Sequence, residues 1–485
     1  MSSLKRFLKN TVIYGIAAVL PRVINFFLVR LHTDALPAKG FAENTNFYIW
    51  AALFSVLLTF GLETSFFRFY KNEEKKDALI STSFITLLIA TILFVILSFF
   101  FSNALIHAFD FNENPLQLKL FVAIMAIDTL AMIPFAYLRA SEKAMNYTVV
   151  KLINVGLIVV FNLFFLKFLP GMLTSTNIEN NWWSTFLNQT SIVNFIYLAN
   201  LIGSLASLLI LTPILIKFKW TFDYSIFKRM FNYGWPIAVA GIAYIINENL
   251  DKILIGKMLD KTIMGVYAAC YKLAVFMNLY NMAFKLGAEP FFFNYAKNER
   301  AKEVYAIILN YFVIVGCLVF VALVLFIDLI KLPFINNQEY WGAIAIVPVV
   351  LLANLFLGIY HNLSVWYKLT DKTRFAMYFS IFGAIITILI NVLFIKKIGF
   401  MASAWATLAA YAAMMVASYL IGKKHYPVPY DVPKILIYLA SSIALAFISF
   451  KFFREDYLIS SLLLLIFTAL IFIKERKTLS LYLKK

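Results

Sequence analysis

The sequence predicts an all-α integral membrane protein of about fourteen transmembrane helices, built as two parallel six-helix repeats plus two extra C-terminal helices. Three observations predict it. The first is apolarity. Of 485 residues, 62% are hydrophobic and only 14% are charged, and the mean hydropathy is +0.82. A water-soluble chain cannot bury that much apolar surface, so lipid must be the solvent for most of it. The second is punctuation, because long apolar runs alternate with short basic loops from end to end. The third is duplication. GLETSFFRFYKNE at Gly61–Glu73 recurs as GAEPFFFNYAKNE at Gly287–Glu299, an offset of 226. RASEK at Arg139–Lys143 faces KLTDK at Lys368–Lys372, and NLFFLK at Asn162–Lys167 faces NVLFIK at Asn391–Lys396, both at an offset of 229. Asn10 and Tyr14-Gly15 have a weaker counterpart at Tyr233-Gly234. Four pairs in one order argue for a duplicated unit of roughly 220–230 residues.

Each element follows from a run of about 20 apolar residues, the length that crosses the hydrocarbon core. A basic start (Lys5, Arg6, Lys9) leads into the first run, 10–32. It lacks a small-residue cleavage site and so reads as a span, not a removed signal peptide. The next runs are 43–67, 78–106, 116–139, 147–168 and 190–216. Lys71–Lys76, Asp110–Pro115 and Arg139–Lys143 break them, and the loop Leu169–Gln189 closes the fifth. Trp182 and Trp183 in that loop are expected at the membrane interface. The second set is 230–256, 262–289, 303–330, 341–366, 374–395 and 399–421. After His425-Tyr426-Pro427 come 434–451 and 457–473, which have no partner in the repeat. The domains are therefore 1–220, a six-helix lobe; 221–425, a second; and 426–485, the two additional helices with a basic tail. Most of the 43 Lys and Arg fall on the N-terminus, the even-numbered loops and the C-terminus, which puts both termini in the cytoplasm. Six spans per unit is an even number. The repeats therefore run parallel, related by an axis along the membrane normal.

Charges inside spans are costly and usually face a cavity or a partner. The first span carries Arg22 and Asn25 after Pro21, then Arg30, with both arginines on one helical face. Its equivalent in the second copy carries Tyr244, Asn247, Glu248, Asp251 and Lys252 in one stripe. The next span carries Tyr267, Tyr271, Asn278, Asn281 and Lys285, with Lys272 alongside. Such faces suit a cavity between two lobes. Plainer readings stand beside this one. Arg30 and Lys285 can snorkel to the interface, and Glu248, Asp251 and Lys252 can satisfy one another as a buried ion pair. Glu63 and Glu289 read as caps or as partners for loop lysines. Asp128, deep in the fourth span without a local partner, is a candidate for cation coupling, with Glu248 and Asp251.

The chemistry of bond-making is not visible. There is no P-loop, Gly-x-Ser-x-Gly or Ser/His/Asp set. His32, His107, His361 and His425 lack ligand spacing, and Cys270 and Cys317 lie in apolar runs, so neither a metal nor a disulfide framework is expected. No cofactor is expected. The net charge of +18 reflects topology and not nucleic acid, since the basic residues sit in short loops. The expected function is movement.

The segment Phe231–Ala274, FNYGWPIAVAGIAYIINENLDKILIGKMLDKTIMGVYAACYKLA, carries a resemblance. Asp251-Lys252, Gly256, Gly265-Val266-Tyr267 and Tyr271-Lys272, with Tyr14-Gly15 and Arg22 in the first span, resemble the polysaccharide-export (Wzx-type, O-antigen/oligosaccharide) flippases. These belong to the multidrug/oligosaccharidyl-lipid/polysaccharide (MOP) exporter superfamily. The resemblance implies a MATE/MurJ-like pair of lobes forming a V around a central cavity, and alternating access. It implies an inner-membrane protein, a monomer, that moves lipid-linked sugars, typically on undecaprenyl diphosphate, with membrane lipids and a coupling cation as further partners. Arg22, Arg30, Lys252, Lys272 and Lys285 suit an anionic diphosphate, and Tyr244, Tyr267 and Tyr271 suit sugars. The two extra spans resemble those of the lipid II flippase branch and disfavour the twelve-span multidrug exporters. A lipid II flippase, a cation-coupled drug exporter, a membrane polysaccharide polymerase and a non-transporting scaffold remain open. The short loop Leu169–Gln189 argues against the polymerase, and the intramembrane charges argue against the scaffold.

Overall fold

The computed structural model describes residues 20, 24, 27–71, 73–111, 114–170, 191–217, 219–296, 298–370, 372 and 374–483. Arg22, Asn25, Trp182 and Trp183 lie outside the described residues. Every regular element among those described is helical. After α1 (27–35) come α2 (Ala38–Thr59), α3 (Leu62–Tyr70), α4 (Lys76–Phe100), α5 (Ser102–Ala108), α6 (Leu116–Ala140), α7 (Ala144–Leu163) and α8 (Ile192–Ile216). Then come α9 (Tyr224–Met258), α10 (Lys261–Leu273), α11 (Val275–Tyr295), α12 (Ala301–Leu325) and α13 (Ile327–Lys331). The chain ends with α14 (Val347–Leu363), α15 (Val365–Leu369), α16 (Arg374–Ile398), α17 (Met401–His425), α18 (Val432–Phe452) and α19 (Tyr457–Leu483).

Eleven helices among the described residues are long and apolar enough to cross a membrane, and the bent pair α2–α3 makes a twelfth. The 35-residue α9 has the length of a thirteenth span, but its stripe from Tyr244 to Lys252 lowers its hydropathy. The first expected span lies mostly outside the described residues. An all-α membrane architecture of about fourteen spans is therefore compatible with the structure.

The chain divides into two compact units, Met1–Asn249 and Leu250–Lys485. In the first, α8 packs on α6 and α7, and α4 packs on α6. Its core at one end is aromatic: Phe47 stacks on Tyr197 at 3.8 Å, with Phe109, Phe111 and Phe121 around them. In the second unit, α17 packs on α14 and α16, and α18 packs on α12. One repeated motif forms the same bonds in both units. Asn162 Nδ2 donates to the Ile158 carbonyl (2.8 Å) while its Oδ1 lies 2.9 Å from His32 Nε2. Asn391 Nδ2 donates to the Thr387 carbonyl (2.7 Å) while its Oδ1 accepts from Ser403 Oγ (2.6 Å). Both asparagines are fully buried, so each amide must be satisfied from within the protein.

Another repeated motif differs between copies. Gly61 breaks the span at a 44° bend between α2 and α3. Its φ is +70°, and a Cβ there would lie 2.3 Å from the Gly234 carbonyl oxygen. Gly287, its counterpart, is inside the continuous α11, with nothing within 4 Å of its Cβ position. Gly61→Ala is therefore expected to cost at least about 1–3 kcal/mol through the left-handed backbone alone, with the clash in addition. Gly287→Ala is expected to be neutral or stabilising by up to about 1 kcal/mol. Thermal unfolding of the two purified variants distinguishes them.

The extra pair α18–α19 is fastened at both ends. Glu475 on α19 accepts from Lys434 Nζ (2.8 Å) and from Tyr438 Oη (2.7 Å), both on α18. At the other end, Arg454 grips Asp328 of α13 through Nε and Nη2 at 2.8 and 2.9 Å, and Lys331 Nζ donates to the same carboxylate at 2.5 Å. Asp328 lies between the spans Ala301–Leu325 and Gln338–Leu369. Burial pushes its carboxyl up, but the hydrogen bonds and charges of Arg454 and Lys331 outweigh that and hold it below the usual carboxylate range. A carboxyl lowered on folding stabilises above its unfolded pKa and loses that stabilisation as pH falls through the folded value. The melting-temperature gap between wild type and Asp328→Asn should thus be constant above about pH 5 and shrink below about pH 4. A pH series of thermal melts on both proteins reads it.

Candidate functional site

Three helical stripes in the first unit meet around one polar cavity. On α7, Tyr147, Lys151 and Asn154 recur at i, i+4, i+7. On α8, Asn200, Ser204 and Ser207 do the same. On α6, Asp128 is followed by Ala131, Met132 and Phe135. Such spacing places each set on one face. Gly203 lets two of the faces meet, because a Cβ there would lie 2.8 Å from Ile158 and 3.1 Å from the Asn154 carbonyl oxygen. The cavity holds about 370 Å³, enough for several waters.

Several of its polar groups stand midway along their helices, and Asp128 and Tyr48 are exposed. Asp128 is the middle residue of α6 and Ser204 the middle residue of α8, each a 25-residue helix. Tyr48 is at the centre of the 22-residue α2. Asp128, Ser204 and Lys151 line the cavity together. Lys151 Nζ also lies 4.3 Å from the Phe135 ring centroid, a cation–π distance. Asn200 Nδ2 donates to Tyr48 Oη and to the Ile196 carbonyl, both at 2.7 Å. At the edge of the cavity Glu63 accepts from Arg139 Nη1 at 3.0 Å. Arg139 belongs to RASEK and Glu63 to GLETS, so two of the repeated motifs of the first copy join in an ion pair. Glu289 lies outside the described side chains.

The residues expected on α9–α11 have other surroundings. Asp251 is fully buried and accepts from Tyr267 Oη (2.7 Å) and Lys252 Nζ (3.0 Å). The same ammonium lies 3.7 Å from the Tyr271 ring centroid. Lys252, Tyr267 and Tyr271 are all buried, so these four form a compact knot. Tyr244, Lys272 and Lys285 are exposed, Asn247 is buried, and Glu248 and Asn278 are half-buried. Lys285, with His361, Lys368 and Asn281, borders a hollow of only about 20 Å³. Arg30 is exposed and pairs with Asp34 at 3.6 Å. Among the described residues no three His, Cys, Asp or Glu cluster to hold a metal. Sequence reasoning found Asp128 but missed Lys151, Asn154, Asn200, Ser204 and Tyr48. The i, i+4, i+7 stripes on α7 and α8 were the available signal.

Two family models match parts of the chain. One, described as a polysaccharide biosynthesis protein, matches residues 187–282. The other, MatE, matches 236–393. The first spans the whole of Phe231–Ala274, the stretch that carries the resemblance to polysaccharide-export flippases. No curated protein sequence matches the chain. Among solved structures, a lipid II flippase MurJ in an inward closed conformation is similar with a TM-score of 0.73 at 18% identity, over 96% of this chain and 99% of that one. An inward-facing multidrug resistance MATE family transporter of the MOP superfamily gives 0.65 at 12% identity, over 89% and 99%. A MOP superfamily transporter from Pyrococcus furiosus gives 0.56 at 13% identity, over 86% and 94%. At these identities the likeness is one of fold, that of multi-pass membrane transporters.

The knot around Asp251 makes a prediction of its own. Tyr267→Phe removes one bond to a fully buried carboxylate and should lower stability by about 1–3 kcal/mol. Thermal unfolding of the purified variant in detergent measures it. An unchanged midpoint would mean that Tyr267 does not support Asp251.

Proposed function

We infer that this chain, a membrane protein with the MurJ/MATE fold of the MOP superfamily, is a flippase for a polyprenyl-diphosphate-linked oligosaccharide. The observation that carries this reading is the polysaccharide biosynthesis match over 187–282, on a chain that parallels a lipid II flippase over 96% of its length. In this reading the protein sits in the inner membrane with both termini cytoplasmic. Its lobes are 1–220 and 221–425, and the helices of 426–485 are an addition to the second.

The chemistry supports an anionic cargo. A diphosphate crossing hydrocarbon needs cations to offset its desolvation. Arg22, Arg30, Lys272 and Lys285 are our candidates for that, with Asn25, Tyr244, Asn247 and Asn278 for the sugar. Lys252, Tyr267 and Tyr271 act in the same reading through the knot they form with Asp251. Alternating access moves the headgroup between leaflets, driven by an ion gradient or the membrane potential. Asp128 is our first candidate for the coupling carboxylate, because it alone of the three proposed stands on a polar cavity of this size among the described residues; Glu248 and Asp251 are the others. The likeness to MurJ favours one second reading, a lipid II flippase.

Deletion of the gene separates the two. Viable cells that lose surface glycan and accumulate inward-facing lipid-linked precursor support the first reading, and lysis with arrested peptidoglycan supports the second. Arg22→Ala combined with Lys272→Ala should reduce surface glycan at least about tenfold, as expected when charge-assisted contacts worth about 1.5–3 kcal/mol each are lost. Unchanged glycan in that strain would remove the cationic pathway.

A further inference from the structure

The cavity of the first unit has two ends. Met125 on α6 and Ile158 on α7 border one, and Phe135, Tyr147 and Glu63 border the other. Glu63 is the residue that α3 contributes to the lining. It follows directly on the bend, where Phe60 and Gly61 both have left-handed backbone (φ +49° and +70°). Glu63 and Phe67, at i and i+4 on α3, share a face. Arg139, in the last turn of α6, meets that face twice. Its Nη1 donates to Glu63 Oε1 at 3.0 Å, and its guanidinium lies 4.6 Å from the Phe67 ring centroid. The same guanidinium lies 5.7 Å from the ring centroid of Tyr147 on α7. One side chain therefore pins α3, α6 and α7 together across this end. Behind the pin, α3 is held to α9, where Ser65 Oγ donates to the Met230 carbonyl at 2.9 Å.

We propose that Arg139 is a latch on this cavity. Bound to Glu63 and seated against Phe67 and Tyr147, it closes the end that Glu63 and Tyr147 border. Released, it opens that end to water-soluble species. The pair has the strength that a reversible latch needs. The Arg139 and Glu63 side chains are 43% and 46% exposed, and exposed ion pairs are individually weak. The Lys252–Asp251 pair, 6% and 0% exposed, is by contrast a fixture, because parting it would strand a buried charge. Arginine suits the post because its planar group bonds a carboxylate at its edge while its faces rest on rings. Ser65 keeps α3 on α9, so release parts the ends of α6 and α7 from α3. The inference goes beyond the transport reading. It is independent of what the protein carries and of which side of the membrane this end faces.

The test is the rate at which N-ethylmaleimide, a small neutral reagent, labels Ser204→Cys in the purified full-length protein in detergent. Ser204 lines the cavity beyond the latch. Cys270→Ala and Cys317→Ala are present throughout, which leaves one thiol to label. Glu63→Gln and Arg139→Gln should each speed labelling about two- to fivefold, the range that loss of an exposed ion pair allows. The two changes shift the charge near the thiol in opposite directions. An effect on thiol ionisation alone would therefore raise one rate and lower the other. Exchanging the pair, Glu63→Arg with Arg139→Glu, should restore the slow rate. Raising the salt concentration should speed labelling with the latch intact and leave both single variants unchanged, because exposed pairs are screened. Rates that move in opposite directions, rates that do not move, or an exchanged pair that folds and still labels fast would each overturn the proposal. Failure of both single variants to fold would overturn it too, because a reversible latch is not what keeps the chain folded.

Discussion

A charge placed in hydrocarbon must find its counter-charge inside the chain, since neither water nor lipid tails will supply one. This protein meets that constraint in two ways. Around Asp251 the answer is closed: one carboxylate accepts from an ammonium and a phenol, and all of them are buried. Around Asp128 the answer is open: the exposed carboxylate lines a cavity of about 370 Å³ together with a hydroxyl, amides and an ammonium. Removing one partner from a buried pair typically costs about 3–5 kcal/mol. Closed knots of this kind therefore hold a fold rigid. An open cavity leaves room for a second arrangement of the same charges, which is what a coupling step requires.

The backbone determines where such cavities form. Gly203 allows α8 to approach α7 until the stripes Asn200–Ser204–Ser207 and Tyr147–Lys151–Asn154 face each other. A side chain at 203 would meet Ile158 and the Asn154 carbonyl, and would hold the two polar faces apart. Gly61 does a different job. Its left-handed φ bends the α2–α3 span and brings the backbone against Gly234, while Tyr48, a few turns earlier on α2, reaches the cavity. Packing at two glycines therefore comes before electrostatics at one carboxylate.

The spans were legible because bilayer thickness translates directly into about 20 apolar residues, and runs such as 116–139 and 374–395 reappear within a few residues as α6 and α16. The bend at Gly61 was not legible. The motif around Gly61 matches that around Gly287, and only packing against Gly234 gives one of them a positive φ. The polar stripe Tyr267–Tyr271 could be read from spacing, but its engagement with Asp251 and Lys252 depends on α9 and α10 lying together. Lys151 escaped notice because one lysine near the start of an apolar run looks like an interfacial charge. Its place on the cavity only becomes evident when α6, α7 and α8 are brought together.

The duplication shows what each copy needed to keep. The asparagine at the end of the fifth span, Asn162 or Asn391, bonds the carbonyl four residues back and a side chain on another helix in both units. A buried amide with both ends satisfied is costly to lose. The charged cavity follows a different rule. At the same offset of 229, Asp128 corresponds to Leu357 and Lys151 to Ser380. The carboxylate and the ammonium are present together in the first copy and absent together in the second. The polar cavity that these two residues line is therefore a feature of the first unit and not of the duplicated plan, which the buried asparagines carry instead.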